Sequence, residues 1–121
     1  MRRVEKPWGH ELIWAETARY VGKLLVIREG QRLSLQYHRI KEESLLVQSG
    51  RVRLQLEGTD GAIAESVLEP GAAFHVAPGR RHRFEAVTDC VLVEVSTPEL
   101  DDVVRIADDY GRDPTHGGGP G

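Results

Sequence analysis

The sequence is poor in sulfur, with one cysteine (Cys90) and one methionine (Met1). A single thiol forms no internal disulfide. Cys90, followed by Val91-Leu92-Val93, reads as a small packing residue rather than a nucleophile. Long apolar runs are also missing. Leu24-Leu25-Val26-Ile27 is among the longest, far short of the roughly 20 residues a membrane helix needs. The opening Met1-Arg2-Arg3-Val4-Glu5-Lys6-Pro7 has basic residues with no apolar stretch behind them, unlike a signal peptide. Nor does one sign of charge dominate. Sixteen basic and 19 acidic residues are interspersed and leave a formal net charge of −3. That argues against a nucleic-acid or anionic-membrane surface and makes the cytoplasm the expected compartment.

What is present is an ordinary globular balance, 40% hydrophobic and 29% charged over 121 residues, enough for one core and too little for two domains. Short strand-like runs alternate with glycine-bearing turns. Leu24 to Ile27 reads as a buried strand ended by Glu29-Gly30. Arg32 to His38 alternates strictly, placing Arg32, Ser34, Gln36 and His38 on one face and Leu33, Leu35 and Tyr37 on the other. Further strands are expected over Ser44 to Gln48, Arg51 to Glu57, Ala62 to Leu68, Phe74 to Val76, His82 to Phe84 and Val91 to Val95. Glu57-Gly58-Thr59-Asp60-Gly61 has hairpin-loop chemistry. Leu100 to Ala107 fits either a short helix or an extended cover. The expected class is all-β, a sandwich or barrel over residues 1–112, followed by a disordered tail at 113–121 with nothing to bury. Because Leu33, Leu35 and Tyr37 also need cover, a homodimer is expected.

Gln36 and His38 lie two residues apart on one strand, so their side chains leave the same face roughly 7 Å apart. Glu43 follows after a four-residue break that returns the chain alongside. Far downstream, Gly79-Arg80-Arg81-His82 sets a second imidazole just after a tight turn. Two imidazoles, a carboxylate and an amide oxygen form a mixed nitrogen and oxygen set suited to one divalent ion such as Zn, Mn, Fe, Co or Ni. Such a set leaves positions open for water or substrate. Lys41-Glu42, beside Glu43, reads as a solvated turn, and Trp8 and Trp14 read as packing residues.

The stretch Gly30 to Gly50 resembles the first cupin motif, with Gln36 and His38 at its paired ligand positions and Glu43 ahead of the closing glycine. Gly71 to Ala86, with Pro78-Gly79 and His82, resembles the second. The likeness extends to the mannose-6-phosphate isomerase cupins at the C-terminus of bifunctional mannose-1-phosphate guanylyltransferases. It is carried by Lys6-Pro7-Trp8-Gly9-His10-Glu11, by Gly22-Lys23, by Arg32-Leu33-Ser34-Leu35-Gln36-Tyr37-His38, by Gly79-Arg80-Arg81-His82-Arg83-Phe84-Glu85 and by the closing run from Asp102 to Arg112. Where that family carries further histidines, this chain has Arg39, Ile40 and Ser44.

The resemblance implies a cupin-type jelly-roll β-barrel with Gln36, His38, Glu43 and His82 on one divalent metal. It also implies a metal-dependent aldose–ketose isomerisation of a sugar phosphate, with Lys23, Arg32 and Arg112 as candidate contacts to substrate or phosphate. Lys6, Glu11 and His75 are candidates for the base, which is not identified. Two other readings stand beside it: a non-catalytic metal-containing cupin that binds a small sugar or anion, and a small metal-dependent dioxygenase.

Overall fold

The computed structural model describes residues 1–112; the tail expected at 113–121 lies outside the described residues. Eleven strands make up the regular structure there: β1 (Arg2–Lys6), β2 (Gly9–Glu16), β3 (Val21–Ile27), β4 (Leu35–Tyr37), β5 (Glu43–Ser49), β6 (Val52–Glu57), β7 (Ile63–Leu68), β8 (Ala73–Val76), β9 (His82–Ala86), β10 (Cys90–Ser96) and β11 (Val104–Ala107). They form a six-stranded sheet in the order β1-β2-β3-β10-β5-β8 and a five-stranded sheet in the order β11-β4-β9-β6-β7. The two sheets share one apolar core, so the fold is the expected all-β jelly roll. No helix among the described residues is long and apolar enough to cross a membrane.

Strand periodicity explains what fills the interior. On β5, Glu43, Leu45 and Val47 are buried while Ser44, Leu46 and Gln48 are exposed. Val52 and Leu54 on β6 turn inward, while Arg53 points out and pairs with Glu65 at 3.0 Å and Glu85 at 3.2 Å. Cross-strand register then sorts the interior into rows. Leu25, Leu92 and Val47 lie side by side on the larger sheet, and Leu54 lies beside Phe84 on the smaller. With Trp8, Ile27, Leu33 and Leu45 these residues make a dry core, in which Phe74 meets Phe84 edge-on at 5.5 Å. Toward the other end the inward positions change character. Lys23 lies beside Glu94, and Gln36 lies between Arg105 and His82. One half of the barrel is hydrocarbon and the other is charged.

Several expectations need correction. Strands β1 and β2 precede the first strand read from the sequence, because β1 is a charged edge with little apolar signal. Leu100 to Ala107 resolves into a turn followed by β11, which pairs with β4. The strict alternation from Arg32 to His38 breaks. Arg32 bridges Glu85, and Gln36 pairs with His82, so four steps along one segment stand against three along the other. Such an irregularity switches the face of everything before it. Leu33 and Ser34 are accordingly both buried in succession, and Leu33 belongs to the core. Large exposed apolar side chains occur on both sheets: Trp14 of β2, Leu46 of β5 and Val95 of β10 on the six-stranded one, Ile63 and Val67 of β7 and Ile106 of β11 on the five-stranded one. Trp14 lies against Gly22, where an added Cβ would sit 2.6 Å from its ring.

Candidate metal centre

Three strands deliver the four candidate ligands in the charged half of the barrel. Strand β4 brings Gln36 and leads directly to His38, β5 opens with Glu43, and β9 opens with His82. Gln36, His38, Glu43 and His82 are each no more than 1% exposed. Glu43 Oε1 lies 3.6 Å from His38 Nε2 and 3.3 Å from His82 Nε2. One ligand atom from each of these three residues falls within 4.8 Å of the others, a spacing that could hold a metal ion. Gln36 stands directly opposite His82 across the β4/β9 pair, which sends both side chains from the same face. Ser34 Oγ–H donates to Gln36 Oε1, which leaves that oxygen a second lone pair.

The imidazoles are oriented from behind. His38 Nδ1–H donates to the backbone carbonyl of Asp102 at 2.6 Å, and His82 Nδ1–H donates to that of Arg80 at 2.9 Å. With Nδ1–H committed in this way, the neutral form of each ring turns its Nε2 lone pair to the cluster, the arrangement that metal-bound histidines use. Neither Nε2 has a hydrogen-bond partner among the described residues. An unpartnered buried polar atom costs about 1–3 kcal/mol, and a shared divalent cation would satisfy both nitrogens and Glu43 Oε1 at once. The donor set fits such an ion.

Behind Glu43 runs a ladder of alternating buried charge. Lys41 Nζ lies 3.1 Å from Glu43 Oε2 and 3.2 Å from Glu94 Oε2. Lys23 Nζ lies 3.8 Å from Glu94 Oε2 and 3.1 Å from Glu11 Oε2. Burial pushes the Glu43 carboxyl up, yet the Lys41 cation beside it outweighs that and holds it well below the usual carboxylate range. Glu94 goes the other way. Burial, with Glu43 and Glu11 nearby, raises it despite the two lysines. Lys41 loses from burial and gains more from its two carboxylates, so it stays firmly charged. The ladder holds three carboxylates and two ammonium groups, and at its Glu43 end the free oxygen faces the two imidazoles.

The other expected contacts fall in different places. Lys23 is inside the barrel as a rung of this ladder. Arg32 is on the outer face with its side chain 37% exposed, gripping Asp109 at 2.6 and 3.0 Å. Arg112 pairs with Asp108 at 2.8 Å and lies 5.4 Å from the centre of the Tyr110 ring. Among the base candidates, Glu11 ends the ladder, His75 pairs with Glu42 on the outside at 2.6 Å, and burial lowers the Lys6 ammonium pKa, helped by Lys23, Arg112 and Arg105. Sequence reasoning passed over Lys41, Glu94, Asp102 and Arg105. The signal for Glu94 was a lone charge at an inward position of Val91-Leu92-Val93-Glu94-Val95. Lys41, expected in a solvated turn because Lys-Glu-Glu at a strand start ordinarily is one, is instead wholly buried between Glu43 and Glu94. Arg105, buried on β11 directly opposite Gln36, sends its side chain toward the same interior.

Comparison with known proteins agrees with this architecture. Residues 1–108 match the family described as mannose-6-phosphate isomerase C-terminal. A mannose-1-phosphate guanylyltransferase from Escherichia coli is 33% identical over 118 residues, covering 92% of this chain and 23% of its own length. A second, from Salmonella typhimurium, gives the same identity and coverage. The chain thus spans about a quarter of these relatives, 23%. Among solved structures, KdgF from Halomonas superposes with a TM-score of 0.73 at 20% identity, over 84% of this chain and 89% of that one. An RmlC-like cupin from Shewanella frigidimarina gives 0.70 at 18%, over 80% and 83%. Oxalate decarboxylase from Bacillus subtilis gives 0.72 at 12%, over 87% and 30%. At these identities the superpositions speak for the fold alone. With the sequence match over nearly all its described length and the two-sheet barrel in place, the chain belongs to the mannose-6-phosphate isomerase C-terminal family and folds as a cupin.

Proposed function

We propose that this chain is a metal-dependent sugar-phosphate isomerase of the mannose-6-phosphate isomerase type, with Gln36, His38, Glu43 and His82 holding one divalent ion. The observation that carries the reading is the enclosed His38–Glu43–His82 cluster, whose two Nε2 atoms converge on one carboxylate oxygen. A divalent ion there would supply Lewis-acid polarisation of a sugar oxygen. Aldose–ketose isomerisation then needs a base to carry a proton between neighbouring carbons. Of the three candidates we favour Lys6, which lies within electrostatic reach of Glu11, Lys23 and Arg105 and whose ammonium pKa is lowered by burial. Arg105 supports anion recognition better than Arg32 does. It is buried opposite Gln36 on the inner side, whereas Arg32 lies on the outer face against Asp109. Arginine's planar fork suits a phosphate.

The test is to mix the purified protein with mannose 6-phosphate under each of Zn, Mn, Fe, Co and Ni and to follow fructose 6-phosphate. No product under any of the five overturns the isomerase reading. A second reading, binding without turnover, is favoured by the near-complete enclosure of the four side chains. It predicts that mannose 6-phosphate raises the melting temperature while no product forms.

A further inference from the structure

Only four residues separate His38 from Glu43, so whatever holds residues 39–42 fixes the distance between those two side chains. The grip on this loop is concentrated. The carboxylate of Asp102 accepts three successive backbone N–H groups: Arg39 on Oδ1 at 3.0 Å, Ile40 on Oδ2 at 2.6 Å and Lys41 on Oδ2 at 2.8 Å. The backbone carbonyl of the same residue accepts His38 Nδ1–H at 2.6 Å. The next amide, that of Glu42, donates to Thr97 Oγ1 at 3.0 Å, and the Glu42 carbonyl accepts the Thr97 amide at 3.0 Å. Every N–H from 39 to 42 is accounted for. Three of the four go to one carboxylate.

We propose that Asp102 is a positioning residue for the metal centre. It binds the loop backbone as an anion in a nest of amides and, through its own carbonyl, fixes the tautomer and direction of the His38 ring. The inference rests on the metal-site reading above and adds the residue that holds the site in shape before any ion arrives. The clamp reads backbone only. Arg39 and Ile40 point their side chains to solvent, Ile40 being 66% exposed, so their identity is irrelevant to it. Asparagine cannot replace the aspartate fully, because one carboxylate oxygen becomes an amide donor facing an N–H.

The experiment compares wild type, Asp102→Asn and Asp102→Ala, with Arg39→Ala and Ile40→Ala as controls, in two measurements. The first is titration with Co2+ by calorimetry. Asp102→Ala should weaken binding about 10- to 100-fold, Asp102→Asn by less, and the two controls not at all. The second is made on metal-free protein: amide hydrogen exchange at 39, 40 and 41, and the nitrogen chemical shifts of the His38 ring. Asp102→Ala should exchange those amides faster and shift the His38 ring nitrogens, because the released loop moves the ring relative to the backbone carbonyl that the substitution retains. Wild-type Co2+ affinity in Asp102→Ala overturns the proposal, as do unchanged exchange and ring shifts. Should Asp102→Ala not fold, Asp102→Asn decides by the same criteria. Wild type that binds no Co2+ sinks the metal-site reading instead, and the metal-free measurements still decide whether Asp102 orients His38.

Discussion

Replacing Lys41 by methionine removes a cation from between two buried carboxylates and leaves the volume nearly unchanged. Lys41 Nζ is the near neighbour of both Glu43 and Glu94, at 3.1 and 3.2 Å, and all three side chains are wholly buried. Deleting one partner of a buried ion pair ordinarily costs about 3–5 kcal/mol, because the charge left behind is neither solvated nor compensated. Glu94 keeps Lys23 only at 3.8 Å, so little of that loss is recovered. A domain of this size is stable by about 5–15 kcal/mol, and each kcal/mol moves the melting temperature by about 4 °C. Lys41→Met should therefore melt about 12–20 °C lower in the presence of a chelator. The decisive comparison is the double variant Lys41→Met/Glu94→Gln. Removing the stranded Glu94 charge should restore part of the loss, even though a second native group is gone. Thermal unfolding of the four proteins closes the cycle. A double variant less stable than Lys41→Met would refute the argument that uncompensated charge, rather than lost packing, sets the cost. The pH dependence carries a second sign. Glu43 in the wild type has its folded pKa depressed, so its contribution is present above the unfolded value of about 4.3 and fades as pH falls through the folded value. In Lys41→Met the stranded carboxyls bind protons more tightly when folded than when unfolded, so the gap between variant and wild type should narrow on acidification.

Three further outcomes follow from other parts of the fold. His82→Ala should lower Co2+ affinity by at least about 100-fold, more than loss of a supporting residue does, as read by equilibrium dialysis. Gly50, at φ +76°, has no room for a side chain, since a Cβ would lie 2.2 Å from the Asp89 carbonyl oxygen. Gly50→Ala should cost at least about 2 kcal/mol in urea unfolding, and an unchanged midpoint would contradict the close approach. Cys90 is buried, and its thiol pKa is pushed up to about 11 by burial and by Asp89. It should ignore a disulfide reagent at pH 8 in the native protein and react at once in denaturant.

Much of this protein was legible in its order of residues. Alternation in Val52, Leu54 and Leu56 marks one half-buried strand, and the turns at Gly50 and Gly58–Gly61 punctuate the chain where the strands end. These are local signals, written by the two-residue period of an extended backbone. The spacing of Gln36, His38 and Glu43 belongs with them, because neighbours on one strand and its return must share a face. What lies beyond that reach was decided by tertiary structure. A one-residue irregularity between Arg32 and Gln36 carried Arg32 to the outer wall, since a slip of one reverses every side chain before it. Lys41 became a buried rung because Glu43 and Glu94, 51 residues apart in the chain, both end beside it. Asp102 met the loop at 39–41 for the same reason. A strand's own sequence dictates which way each side chain points, but the partner it meets inside the barrel depends on register between distant strands, and that is settled only when the sheets close.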